Sequence, residues 1–238
     1  MASYSQISSL LLVLLLLPYA CVSSSSGSGG RPPLFPKVAL DLYYDSLDMA
    51  SANFLIRFLP YIYENDLIDM VNLKLVPYAQ ARIQGKSVVV CKRGSEDCLI
   101  SRVAICSMKY LHQDEAMELI YCISHFITKS IAKNWEMCFE LMRLEEKRVK
   151  ECFTGYEGKQ LDYQYVKEIS NVIHGVGHLP WITIDQVQVK NQEMKSLKTS
   201  ICKAYKGDKS EVCGEKIGHP KTSGSRSAGG HGALGRHI

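Results

Sequence analysis

KVALDLYYDSLDMASANFLIRFLPYIY, residues Lys37 to Tyr63, decides how this chain folds. Val38, Leu40, Leu42 and Tyr44 recur at every second position, the period of a buried strand. Asp45-Ser46 breaks the run. Phe54, Leu55, Phe58, Leu59 and Ile62 then recur three and four residues apart, which places them on one face of a helix. The stretch reads as strand, short turn, helix, with an aromatic pair, Tyr43-Tyr44, before the turn. The first helical turn carries Asp48-Met49-Ala50-Ser51. Asp48 suits an N-cap, because a short carboxylate there accepts a free backbone N–H and meets the positive end of the helix dipole.

Downstream, Val71 to Val76 alternates as a second strand and Ser87 to Val90 forms a third. Between Asp97 and Cys152 the pattern becomes helical: Ala104, Met108 and Leu111 share a face. Met117, Ile120, Tyr121, Ile127 and Ile131 share another, followed by Phe139 and Leu141. Glu145 to Arg148 is a charge run expected on a solvated helix face. Asp162 to Ile173 reads as a helix stopped by Gly175 and Gly177. His178-Leu179-Pro180-Trp181-Ile182-Thr183-Ile184 places a proline at the opening of a β-rich run, and Lys195 to Lys206 supplies a last helix.

At 238 residues, 46% hydrophobic and 22% charged, the chain is long enough and apolar enough for a substantial core. Leu10 to Leu17 is an aliphatic run too short to span a bilayer and reads as the core of a signal peptide over residues 1–24. Residues 25–36 form a Ser/Gly/Pro-rich, disordered lead-in. No later segment has the length and apolarity of a membrane span, so the mature protein is expected in the secretory pathway without one. Of nine cysteines, Cys21 belongs to the signal region. Cys91, Cys98, Cys106, Cys122, Cys138, Cys152, Cys202 and Cys213 are an even set, as expected of a disulfide framework in an exported protein. Spacing leaves about a hundred pairings open. A helix over Asp97–Tyr110 would hold Cys98 and Cys106 about 12 Å apart, beyond bonding reach. Cys202 and Cys213 close a short polar loop and are the best single pair.

The net charge of +4 lies beyond Cys202, in a stretch that ends in a Gly/Ser/His-rich tail expected to be disordered over residues 214–238. A balanced body with a basic tail gives no nucleic-acid surface. His174 and His178 have a spacing that grips a metal on a helix, but Gly175 and Gly177 oppose a helix there. No metal and no cofactor are expected.

The order strand–helix–strand, helical block, strand–helix fits an α/β, thioredoxin-like sheet with an inserted, cysteine-rich helical subdomain over about 97–152, within a domain spanning 37–213. Particular residues carry a closer resemblance. Cys91-Lys92-Arg93-Gly94-Ser95-Glu96-Asp97-Cys98, continuing to Ser101 and Cys106, resembles the signature Cys-Gln-His-Gly-x2-Glu-Cys-x2-Asn-x4-Cys of the gamma-interferon-inducible lysosomal thiol reductase (GILT) family. Trp135-Glu136-x-Cys138, Pro180-Trp181 and Cys202-Lys203-Ala204-Tyr205-Lys206-Gly207 look like that family too. The likeness runs from about Val38 to Cys213. It implies disulfide reduction in acidic compartments by a Cys-x-x-Cys on the first turn of the helix, and a cis-proline facing that pair.

Here the corresponding positions are Asp48 and Ser51, and the family's Pro-Pro-His segment is His174-Gly175-Val176. Thiol–disulfide exchange needs a thiolate to attack and a second thiol to resolve; neither side chain supplies one. The expected function is a non-catalytic binding or regulatory homologue, extracellular or in the lysosome or vacuole. It would take an extended polypeptide at a cleft of Leu179, Pro180 and Trp181. The competing expectation is a residual thiol oxidoreductase using another pair such as Cys91/Cys98, where Lys92 and Arg93 would depress a thiol pKa. Composition alone does not decide between enzyme and binder.

Overall fold

The structure, a computed structural model, describes residues 35–172, 178–207 and 210–214. The signal peptide, most of the lead-in, the segment His174-Gly175-Val176 with Gly177, and the tail beyond Gly214 lie outside the described residues. Strand β1, Val38–Tyr44, lies in the interior of a four-stranded sheet. Along one edge it pairs in parallel with β2, Val71–Pro77, from Val38 against Val71 to Tyr44 against Pro77. Along the other it pairs antiparallel with β5, Trp181–Ile184, with Tyr43 opposite Trp181. The short strand β6, Val187–Gln188, completes the order β2-β1-β5-β6.

The alternating residues of β1 are buried because helix α1, Met49–Glu64, lies against the sheet. Leu40, Leu42, Leu55, Phe58 and Ile62 share one core with Leu73, Leu75, Ile182 and Ile184. Pro60 sits inside α1 and removes one backbone donor from its last turns.

Ser87 to Val90 does not extend this sheet. Val88–Val90 (β4) pairs with Arg82–Gln84 (β3) as a separate hairpin turned at Gly85, whose φ of 63° is the left-handed region that glycine tolerates. β3 is too short and too polar to show an alternating pattern. Its partner therefore looked like a strand of the main sheet.

Between the hairpin and β5 stands the helical block: α2, Ser95–Tyr110; α3, Gln113–Thr128; α4, Met137–Leu141; α5, Lys147–Thr154; and α6, Tyr156–Val172. Its core joins Ile100, Val103, Leu119, Ile123, Trp135, Phe139, Val149 and Phe153. Two disulfides, Cys106–Cys152 and Cys122–Cys138, tie that core together. Cys91–Cys98 fastens the entrance of α2, and Cys202–Cys213 closes the loop from α7, Met194–Ala204, to α8, Ser210–Cys213. The pair expected from loop length is present, and Cys98 and Cys106 indeed go to different partners.

Two apolar residues leave the faces that periodicity gave them. Helix α3 ends at Thr128, and Ser130 turns the chain at φ 60°, so Ile131 is 43% exposed instead of continuing the face of Met117 and Ile127. Leu141 is 55% exposed while Phe139 is buried, since positions two apart point to different sides of a helix. Glu145 to Arg148 is exposed, as the charge run required.

Helix α6 begins six residues earlier than its apolar face, and packing explains the glycine in its first turn. A Cβ at Gly158 would stand 2.6 Å from both the Arg102 side chain and the Cys152 carbonyl. Arg102 uses that space to reach Asp162: its Nε donates to Asp162 Oδ2 at 2.8 Å, while Tyr78 donates to Oδ1 at 2.5 Å. Asp162 is 2% exposed and Tyr78 1%. Removing the carboxylate leaves a guanidinium and a phenol without their acceptor, a loss of about 3–5 kcal/mol. Chemical denaturation of Asp162→Ala should show this, with Gly158→Ala also destabilised through the Arg102 clash. Among the described residues no helix is long and apolar enough to cross a membrane.

Candidate functional site at the meeting of two helix N-termini

The turn Asp45-Ser46-Leu47-Asp48 leaves β1 at a fixed place, because β1 is paired on both edges. Asp48 is the N-cap of α1: its Oδ2 accepts from Ser51 N at 2.8 Å and from Ser51 Oγ at 2.9 Å. Ser51 is wholly buried, whereas the Asp48 side chain keeps 14% of its surface.

A second helix start faces the first. Loop Cys91–Gly94 turns into α2 through Gly94, whose φ of 93° is open to glycine and strained for other residues. This accounts physically for the glycine of the motif. From that loop Arg93 extends its guanidinium to the turn: Nη1 donates to Asp45 Oδ2 at 3.1 Å, and Nη2 pairs with Asp48 Oδ1. Asp97, in the first turn of α2, accepts from Leu47 N at 2.9 Å and Arg93 N at 3.4 Å. Ser101 Oγ donates to Ser46 Oγ at 2.8 Å, and both serines are buried. Three carboxylates near two positive helix ends are favourable, and Arg93 offsets the charge that remains.

Asp45 is 2% exposed, and burial pushes its carboxyl up to about 6, reinforced by Asp97 and Asp48 and opposed by the Gln80 backbone N–H and by Arg93. Burial also raises Asp97, against hydrogen bonds from Leu47 and Arg93.

The cis-proline stands at the same end of the sheet. Leu179–Pro180 is cis, and Trp181, the next residue, is opposite Tyr43 at the end of β1. Pro180 O accepts from Gln192 Nε2 at 2.7 Å. Leu179 and Trp181 are partly buried against Tyr43, Tyr78, Cys91, Cys98, Val166 and Ile169. The Cys91 and Cys98 residues are 6% and 8% exposed, inside that cluster. Arg93 is not directed at this disulfide; it is committed to Asp45 and Asp48. Sequence reasoning named Asp48 and Ser51 but missed Asp45, Arg93 and Asp97 as their partners. The acids of the turn, Asp45 and Asp48, and the bases of the Cys91 loop, Lys92 and Arg93, had complementary charges, the one signal available.

Beside this network is a cleft of about 580 Å³, lined by Leu47, Met49, Arg93, Glu96, Ile131 and Lys133 among others. Among the described residues no group of His, Cys, Asp and Glu gathers as a metal-binding set.

A model of the family described as gamma interferon inducible lysosomal thiol reductase (GILT) matches residues 39–142. The gamma-interferon-responsive lysosomal thiol protein of Arabidopsis thaliana is 29% identical over 174 residues, covering 72% of this chain and 72% of its own. The gamma-interferon-inducible lysosomal thiol reductase of Mus musculus is 26% identical over 201 residues, covering 81% of this chain and 79% of its own. The chain is thus similar to GILT-family thiol reductases. It shares its fold with DsbA from Mycobacterium tuberculosis in the reduced form, at a TM-score of 0.53 and 16% identity over 76% of this chain and 89% of that one. At that identity the likeness bears on fold alone, and the fold is thioredoxin-like.

The raised carboxyls give the protein a definite pH response. Folded Asp45 holds its proton up to about pH 6, while the unfolded chain releases it near 3.8, so the native state binds more protons in between. The stability from that proton is complete below pH 3.8 and lost as pH rises through 6. Going from pH 7.5 to 5 should stabilise the protein by about 1–1.5 kcal/mol through Asp45, with Asp97 acting in the same direction. Scanning calorimetry should show Tm about 3–5 °C higher at pH 5, and most of that difference should disappear in Asp45→Asn.

Proposed function

We propose that this chain is a GILT-family homologue that binds polypeptide in the secretory pathway or its acidic end compartments without reducing disulfides. One observation carries the reading: the first turn of α1, where the family resemblance places a Cys-x-x-Cys, holds Asp48 bonded both to Ser51 and to Arg93. Asp48 and Arg93 are both departures from the family pattern, and they contact each other. A cysteine at 48 would leave the Arg93 guanidinium with one carboxylate fewer, and a histidine at 93 would leave Asp48 without its guanidinium partner. The two changes compensate, as expected of a site maintained for something other than thiol chemistry.

Four disulfides support an oxidising compartment, and relatives named lysosomal support an acidic destination. The reading with Cys91/Cys98 as a working dithiol lacks support. A disulfide exchanges only where a thiolate can reach sulfur, and these residues are buried among Tyr78, Val166 and Ile169.

Position 48 is partly exposed and position 51 wholly buried, the order an attacking and a resolving thiol would need. Insulin-disulfide reduction by the purified protein between pH 4.5 and 7 should therefore be absent, and should appear in the double variant Asp48→Cys/Ser51→Cys. Protein-dependent turnover that survives Asp48→Ala would overturn the non-catalytic reading. Alkylation without reductant should label none of the eight cysteines from Cys91 to Cys213; labelling of Cys91 with Cys98 would move the chemistry there.

A further inference from the structure

The cleft beside Asp48 has a mixed lining that sets what it can hold. Met49 and Ile131 are 46% and 43% exposed, unusual for large apolar side chains, and both face it with Leu47. Its charged lining is Arg93 and Lys133 against Glu96. The cleft is thus apolar at its sides with a cationic excess, and suits an extended segment with an apolar side chain next to a carboxylate.

Arg93 belongs to both the cleft and the buried network. Its side chain is 32% exposed, with one edge of the guanidinium on Asp45 and the other on Asp48. We propose that Arg93 is a pH-operated latch for this cleft: at neutral pH Asp45 holds its Nη1 edge, and on acidification that edge is given up to an acidic side chain of a bound polypeptide. This rests on the binding reading above and adds its regulation and its ligand class.

Asp45 is the group on which the latch turns. Asp45 is faced by Asp48 from the start of α1, Asp97 from α2, Arg93 from the intervening loop and the Gln80 N–H from the segment after β2. Protonation near pH 6 turns Asp45 from an anion into a neutral acceptor, and burial raises Asp97 in the same sense. An exposed glutamate on a polypeptide keeps its charge down to about pH 4. Between those values the client's carboxylate is the better partner for Nη1, while Nη2 stays on Asp48. Arg93 is then free to turn its Nη1 edge toward Met49 and Ile131.

The test uses a fluorescein-labelled decapeptide of alternating leucine and glutamate, and its counterpart with glutamine at every glutamate. Fluorescence anisotropy should show the Leu/Glu peptide binding at least about fivefold tighter at pH 5 than at pH 7.5, with little change for Leu/Gln. Asp45→Asn, which imitates the protonated acid, should bind Leu/Glu at pH 7.5 as the native protein does at pH 5. Arg93→Gln should lose the preference for glutamate. Equal Leu/Glu binding at both pH values, or a pH response that persists in Arg93→Gln, would overturn the latch and leave the binding reading standing. If neither peptide binds at either pH, docking in this cleft falls. The latch is still decided by the guanidinium NMR resonances of Arg93 in the free protein, expected to be rotationally restricted at pH 7.5 and mobile at pH 5. A guanidinium equally restricted at both would refute it.

Discussion

The pairing of β1 on both of its edges is the constraint on which the rest depends. A strand hydrogen-bonded to β2 on one side and β5 on the other, with Leu40 and Leu42 fully buried, cannot shift register without turning its apolar residues to the wrong face. Its end at Tyr44 is therefore fixed. The turn Asp45–Asp48, the N-terminus of α1 and the cis Leu179–Pro180 bond at the start of β5 inherit that fixed position.

The helical block brings the second half of the site. Its disulfides and the Arg102–Asp162–Tyr78 network set α2 relative to α5 and α6. Gly94 and Asp97 then aim the start of α2 at the start of α1. Helix N-termini facing each other repel as partial positive charges, and Asp45, Asp48 and Asp97 answer that field. Arg93 makes three close carboxylates tolerable. The first turn of α1 is thereby an electrostatic junction.

Burial gives the junction its pH response. An exposed Asp45 would titrate near the ordinary carboxylate value, far below the pH of an acidic organelle. Withdrawn from water it takes up its proton about two pH units higher, inside the range that separates neutral from acidic compartments. Stability and the state of Arg93 are then linked to the same proton.

The strand–turn–helix from Val38 to Ile62, the helical block and the Asp48 cap were legible in sequence, because period two, period 3.6 and a capping carboxylate are local properties. So was the absence of a thiol between Asp48 and Ser51. The hairpin of β3 and β4 was not: a three-residue polar strand has no period to detect, and its pairing depends on Gly85. The outward turn of Ile131 was equally hidden, since nothing in the apolar pattern marks the helix end at Thr128. Above all, sequence kept Asp45 and Arg93 apart by 48 positions. Only the fold brings the two helix starts together, and only burial there turns an ordinary aspartate and an ordinary arginine into a coupled pair.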